Sequence, residues 1–452
     1  MNEPLHATLN RTAKYFMDNG RVQSPEEAMN LLQAFGLSII IGPEISSSRD
    51  AQVALLTLVN VARRTFLAGV EIIGLRESRV ITPLARESNL VEAVTNLGGR
   101  VVAQARADWP SAVIGSAPTC PTNRPSWRLT WEGWRAGVVP VRENWNLRES
   151  PSVPLAPALA AAICAAEVFA FHAGDNVMAG KRMLGLSLWR PEGDWTAEDP
   201  TEPSLAFLPS RLWLVGLGNL GQAYAWLLAS LPYGPAMADL FLQDFDRLTV
   251  SNDSTSILTK LDAVGRMKTR WVSKWLEVRG FKTFLEERRF GVSTRRAEDE
   301  PGAALFGVDN AIARATLEGA GFDLVVESGL GAGPQSFRNF SMHTFPGPRR
   351  AEQLWPTTVG NDAPDVSGMP AYTKLRKDGF EQCGLIQLAS RTVGVPFVGL
   401  IAAAFVISEL IRRLHGGPSY GVISGSTMCL DDLEVARCRA EPYVHGFVSV
   451  DG

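Results

Sequence analysis

Leu212-Trp-Leu-Val-Gly-Leu-Gly-Asn-Leu-Gly221 is a run of apolar, strand-forming residues that enters G-x-G-x-x-G, and Gln222 to Leu231 continues it with helical apolar spacing. The spacing predicts a strand, a tight turn and a helix. Gly216 permits the turn, Gly218 lets a phosphate approach the backbone, and Gly221 allows the helix to pack closely on the strand. Asn219 lies within the loop, at a helix N-terminus that attracts anions. Taken alone, this element specifies a nucleotide bearing phosphates, and an NAD(P)-dependent oxidoreductase is its default reading.

The next segments change that default. Asp239-Leu-Phe-Leu-Gln-Asp-Phe-Asp246 reads as a strand ending in two acids, Asp244 and Asp246; Asp244 suits the ribose hydroxyls of ATP or NAD. Then come Asn252 and Leu261-Asp-Ala-Val-Gly-Arg-Met-Lys268, followed by Phe306-Gly-Val-Asp-Asn-Ala-Ile-Ala-Arg314 and the strand-like Asp323 to Gly329. This succession resembles the ThiF-type adenylating superfamily, which includes ubiquitin-activating enzymes, and covers roughly residues 205 to 430. The resemblance implies attack of a carboxylate, typically the C-terminal glycine of a small β-grasp protein, on the α-phosphate of ATP. It implies that Lys268 stabilises the phosphoryl charge, Asp309 holds Mg2+, Asp244 holds the ribose, Asp246 sits near nucleotide or metal, and Asn252 positions phosphate. Asp309 and Asn310 also suit an N-cap for a helix from Ala311 to Gly319. One departure stands out: the family's phosphate-gripping arginine is replaced by Thr255. Candidate substitutes are Arg266, Arg270, Arg49, Arg63 and Arg64.

Farther out, the sequence repeats itself. Val153 to Phe171 and Val395 to Ile411 align at an offset of 242 residues, with Pro154 on Pro396 and Glu167 on Glu409, and Leu37 to Gly42 resembles Leu212 to Gly216. The expected architecture is therefore two Rossmann-like α/β domains forming a pseudo-dimer, a degenerate copy over 1–200 and an active copy over 201–452. After Gly42 the first copy reads Pro43-Glu-Ile-Ser-Ser-Ser48, with no phosphate loop, and Glu71 to Leu75 lacks the acidic pair. Ala117 to Trp145, rich in proline and tryptophan, reads as a packed loop or β-rich insertion. Gly347 to Met369 reads as a surface connection. Cys383 falls in the crossover segment where, by the resemblance, activating enzymes carry a thioester-forming cysteine, and a helix starting there would lower its pKa. A ubiquitin-like protein and a conjugating enzyme are the implied partners.

Composition narrows the field. Lys+Arg number 44 against 47 Asp+Glu, a net charge of −3, which gives no support to a nucleic-acid or membrane-surface partner. The first residues lack the unbroken apolar core of a signal peptide. Each of the two long apolar stretches carries a glutamate, and the second is shorter than the ~20 residues a bilayer requires, so both read as buried helices. Five cysteines without a CxxC pair indicate neither a disulfide framework nor zinc, and suit the cytoplasm. Cys120, Cys164, Cys429 and Cys438 read as structural. Three alternatives remain beside the conjugation reading: an adenylase that stops at acyl adenylate for a sulfur carrier or peptide, an NAD(P)-dependent oxidoreductase, and a scaffold that keeps only the fold.

Overall fold

A computed structural model describes residues 5–117, 123–148, 152–234, 238–331, 333, 335–356, 368–390, 392–439 and 441–450. The first half forms a seven-stranded sheet ordered β3-β2-β1-β4-β5-β6-β7. Its strands are β1 (Gly36–Ile41), β2 (Gly69–Ile73), β3 (Arg100–Val102), β4 (Ser111–Ile114), β5 (Ser126–Glu132), β6 (Arg135–Pro140) and β7 (Leu184–Ser187). A short strand β8 (Phe207–Pro209) leads into the second half. There β9 (Arg211–Val215), β10 (Asp239–Gln243), β11 (Lys282–Glu286), β12 (Ala303–Phe306), β13 (Leu324–Leu330), β14 (Asn339–Phe345), β15 (Ser419–Ser426) and β16 (Cys429–Cys438) form an eight-stranded sheet ordered β11-β10-β9-β12-β13-β14-β15-β16. The last strand, β17 (Phe447–Ser449), pairs antiparallel with β8.

The two sheets repeat one topology. In each, the first five strands run parallel and the next ones antiparallel, the switch falling at β5–β6 and at β13–β14. Parallel strands must be covered on both faces, which is why β1 reads GLSIII with all six residues buried. The helices used below are α1 (Arg11–Asp18), α2 (Arg49–Thr65), α3 (Leu90–Asn96), α4 (Leu155–Ala173), α5 (Asn219–Ser230), α6 (Lys268–Glu277), α7 (Ala311–Ala315), α8 (Pro370–Lys377), α9 (Gln382–Ser390) and α10 (Pro396–Leu414).

Four of them make the joint between the copies. α2 and α4 lie on the first sheet, α5 and α10 on the second, and α4 packs against α10. α4 is long and apolar enough to cross a membrane by composition, yet it is buried within the protein because neighbours cover it all round. Its end is set by Gly174 in the left-handed region, φ 62. The aligned glutamates behave alike: Glu167 pairs with Arg182 at 2.9 Å and accepts from Gly180 N, while Glu409 pairs with Arg412 and Arg413 at 2.6 and 2.8 Å and accepts from Tyr420 N. A buried carboxylate persists only with such partners. The tryptophan-rich segment forms the β5–β6 hairpin with Trp127, Trp131 and Trp134 buried.

Candidate active site

The crevice forms where the strand order of the second sheet reverses, between the carboxyl ends of β9 and β12, the position at which open α/β sheets bind ligands. Gly216 turns the chain there with φ +84, and a Cβ on Gly221 would come within 1.9 Å of the Gly216 carbonyl oxygen. Only glycine at both positions lets α5 start this close to the strand. A Cβ on Gly218 would meet nothing within 4 Å, so the loop faces open space.

Asp244 and Asp246 lie just beyond β10, which ends at Gln243. Asp244 accepts the backbone N–H of Leu217 at 2.7 Å and of Asp246 at 2.8 Å, tying the acidic strand end to the glycine loop. Lys268 opens α6, and its Nζ lies 2.9 Å from Asp246 and 3.7 Å from Asp244. The lysine is 8% exposed, so its charge is held in a poorly hydrated place where it acts strongly on an arriving anion. Asp309 follows β12 on the other side of the loop. A Cβ on Gly216 would meet Val308 and Gly307, and Arg314, paired at 2.9 Å with the buried Glu327, donates to the Val308 carbonyl. Asn310, by accepting from Ile312 N and Ala313 N, is the cap of α7, which ends at Ala315 rather than Gly319. Asp309 is left exposed, with no ion pair to a described residue.

Two predicted residues are engaged differently. The Asn219 amide donates to the carbonyls of Gly394 and Val395, pinning α5 to the start of α10. Asn252 Oδ1 accepts from Thr249 N at 2.9 Å, closing the short 3-10 turn Val250–Ser254.

The arginines separate clearly. Arg49 donates to Ser230 O at the far end of α5, Arg270 pairs with Glu287, and exposed Arg266 lies over Trp271. Arg63 and Arg64, in the last turn of α2, reach the Thr255 neighbourhood. Arg63 makes a bidentate pair with Asp253 at 3.0 and 3.1 Å. Arg64 donates to the carbonyls of Asp253, Ile257 and Thr259, and burial pulls its pKa down to about 9, still charged at neutrality. Sequence reasoning missed Arg11: from α1 its backbone N–H donates to Ser254 Oγ at 3.0 Å and its guanidinium to Ser251 Oγ at 3.4 Å, on either side of Asn252. The same helix holds the crossover segment, because Tyr372 of α8 donates to Asp18 at 2.7 Å and Asp18 pairs with buried Lys14.

The matching place in the first copy is filled. With Gly42 set on Gly216, Ile41 matches Val215, and the strand β2 beside it runs on into Gly74 and Leu75 where β10 runs through Gln243 into Asp244, so no carboxylate stands at the strand end. The Glu44 carboxylate accepts from Ser116 N at 3.2 Å and from the Ser116 hydroxyl, bridging the loops after β1 and β4.

Of the cysteines, Cys164 is buried in α4 and Cys429 exposed, while Cys438 lies 3.5 Å from Arg413 Nη2. Cys383 is the second residue of α9, with its side chain outside the described residues, as is Cys120; of 347–369, residues 357–367 also fall outside.

Two fused copies of one α/β topology, the second bearing a glycine loop, an acidic strand end and a buried lysine, define an E1-like protein. Family models match in the same order, the BilD N-terminal domain over residues 36–188 and the BilD C-terminal domain over 208–417. A "Bacterial E1-like protein BilD" of Collimonas sp. (strain OK412) is 57% identical over 443 residues, covering 98% of this chain and 96% of that protein. The chain belongs to the BilD family of bacterial E1-like proteins. Among solved structures, E. coli MccB aligns with a TM-score of 0.34 and 12% identity over 52% of this chain and 63% of MccB. A crystal structure of MccB with ATP aligns with a TM-score of 0.33 and 14% identity, covering 52% of this chain and 65% of that one. The chain thus spans less than two thirds of MccB.

Proposed function

We infer that this protein activates the C-terminal carboxylate of a ubiquitin-like protein with ATP and Mg2+, then carries it as a thioester on Cys383 to a conjugating enzyme, in the cytoplasm. The observation that carries this reading is Lys268, buried beneath the glycine loop and between Asp244 and Asp246. In the reaction a carboxylate oxygen forms a bond to the α-phosphorus while the bond to the bridging oxygen breaks, releasing pyrophosphate and leaving an acyl adenylate. Two anions must approach each other, so the protein's task is to hold them in line and to balance charge.

The chain's own groups suit that task. The N-terminus of α5 and the open face at Gly218 receive phosphate oxygens. Asp244 takes the ribose hydroxyls, and Lys268 exchanges its carboxylate partners for the phosphoryl oxygens. Arg11, reaching across from the first copy, supplies a cation beside Ser251 and Ser254 in place of the residue missing at Thr255. The exposed Asp309 carboxylate suits a hard cation that also takes phosphate oxygens. Asp309 would hold Mg2+, which would supply charge neutralisation to the triphosphate. A silent first copy accords with Glu44, whose carboxylate lies at the turn after β1, beside Gly42, where a phosphate would have to be accepted.

The test is ATP–pyrophosphate exchange in the presence of a ubiquitin-like protein, followed by non-reducing electrophoresis. Exchange that vanishes in Lys268→Ala, and a reducible adduct that vanishes in Cys383→Ala, are expected. Exchange without any adduct would reduce the function to formation of acyl adenylate; no exchange at all would refute adenylation.

A further inference from the structure

A cavity of about 620 Å3 opens between the two copies, away from the residues assigned above to nucleotide. The first copy contributes the end of α2, the 84–87 loop and α3; the second contributes α5, α6 and the stretch 253–262. Its volume falls in the range of sites for small organic ligands. Three indoles line it. Trp226 and Trp275 stack with centroids 5.8 Å apart, and Trp271 is fixed by donating to Leu258 O at 2.8 Å.

The charges around these rings are unequal. Five cationic side chains line the cavity against three carboxylates, and one of the three, Asp253, already binds both Arg63 and Arg64. The Arg279 guanidinium lies 3.7 Å over the Trp275 ring and donates to Leu84 O and Trp275 O, yet its buried Nε has no acceptor among the described residues. A buried donor left without a partner carries a free-energy cost that a ligand acceptor removes. At the edge, Arg86 of the first copy and Lys260 of the second are exposed and make no described ion pair; Glu87 faces Lys260 and Arg279 as a weaker, longer-range charge that an entering anion would displace.

We propose that this cavity binds a planar organic anion, its ring system packed against Trp271 and the exposed edge of Trp275, with Trp226 buried behind them, and its carboxylate, sulfonate or phosphate group taken by Arg86, Lys260 and Arg279. Flat rings suit tryptophan faces, and cations stacked on those faces keep the charge beside the aromatic surface. A ligand held by Arg86 and Lys260 straddles the joint between the copies. Binding is independent of adenylation and is measured without nucleotide.

The probe is 1-anilinonaphthalene-8-sulfonate, titrated into the full chain while tryptophan emission and dye emission are followed together. Saturable one-to-one binding with energy transfer from the indoles is expected. The double variant Arg86→Gln, Lys260→Gln weakens it about tenfold, and each single variant about threefold, which corresponds to the modest strength of exposed charge contacts. The single variants keep the comparison valid whatever the double variant does to folding. N-phenyl-1-naphthylamine, the same rings without the sulfonate, binds at least tenfold more weakly. No saturation, equal affinity for the charge-neutralised variants, or equal affinity for the neutral dye would each overturn the proposal.

Discussion

Arg63 and Arg64 are neighbours in sequence and both meet Asp253, yet their replacement should have very different consequences. Arg64 is 3% exposed and serves the carbonyls of Ile257 and Thr259 at 2.8 and 3.0 Å, the Asp253 carbonyl, and the Asp253 carboxylate at 3.2 Å. Arg64→Ala takes from the Asp253 carbonyl its described donor and leaves the Ile257 and Thr259 carbonyls one donor each, from Asn60 and Arg63. At about 1–3 kcal/mol for one orphaned buried carbonyl, with the lost packing of the long buried side chain added, the net loss is about 2–4 kcal/mol. Arg63 makes the geometrically better carboxylate pair, but both partners retain 22% of their side-chain exposure, so Arg63→Ala should cost about 1 kcal/mol or less. Arg64→Lys should recover only part, since an ammonium cannot serve carbonyls spread along this turn. Urea unfolding of the three variants at pH 7.5 measures the difference. If Arg64→Ala and Arg63→Ala destabilise equally, or Arg64→Ala costs under about 1 kcal/mol, the clamp is not what joins α2 to the second copy.

Three further outcomes are expected. Lys268→Ala should lower ATP–pyrophosphate exchange by about 10²–10³-fold, the size seen when one stabilising donor is removed; activity within tenfold of the unaltered chain would remove Lys268 from the reaction. Gly221→Ala forces a Cβ onto the Gly216 carbonyl, so α5 must shift, at about 1–3 kcal/mol of stability with loss of nucleotide binding by calorimetry. His415 donates from Nδ1 to Ile411 O and accepts at Nε2 from Ala206 N at 2.9 Å, so protonation would face one N–H with another. Burial lowers its pKa below the usual 6.5. The unfolded chain therefore binds the proton first, and stability present above pH 6.5 should fall as pH drops toward the folded pKa. Thermal melts from pH 7.5 to 5.5 should show this slope, and His415→Gln should flatten it.

The candidate site of the second copy was legible because its residues sit at element boundaries. Strand-to-loop and loop-to-helix transitions show in local periodicity, and Asp244, Lys268 and Asp309 each lie at one. The duplication was legible for a related reason: apolar helices buried all round tolerate little, so the Glu167 and Glu409 alignment survives in both. Contacts made across the joint left no such trace. Arg11 and Ser251 are 240 residues apart, and nothing near Arg11 marks it as facing a turn of the other half. The first copy shows the same limit: absence of a phosphate loop is visible in Pro43 to Ser48, but the filling of that place by Glu44 depends on Ser116, which comes from a different strand end. Asn219 illustrates the converse, since a loop position that suggests phosphate also faces α10.

The apolar layer of α4 and α10 bears on how such a chain can evolve. Cut between the copies, each fragment would present a wide hydrophobic slab to water and clump before finding its mate. The halves are thus expected to stay joined, with changes tolerated on the outer surfaces while the inward sides stay answerable to each other.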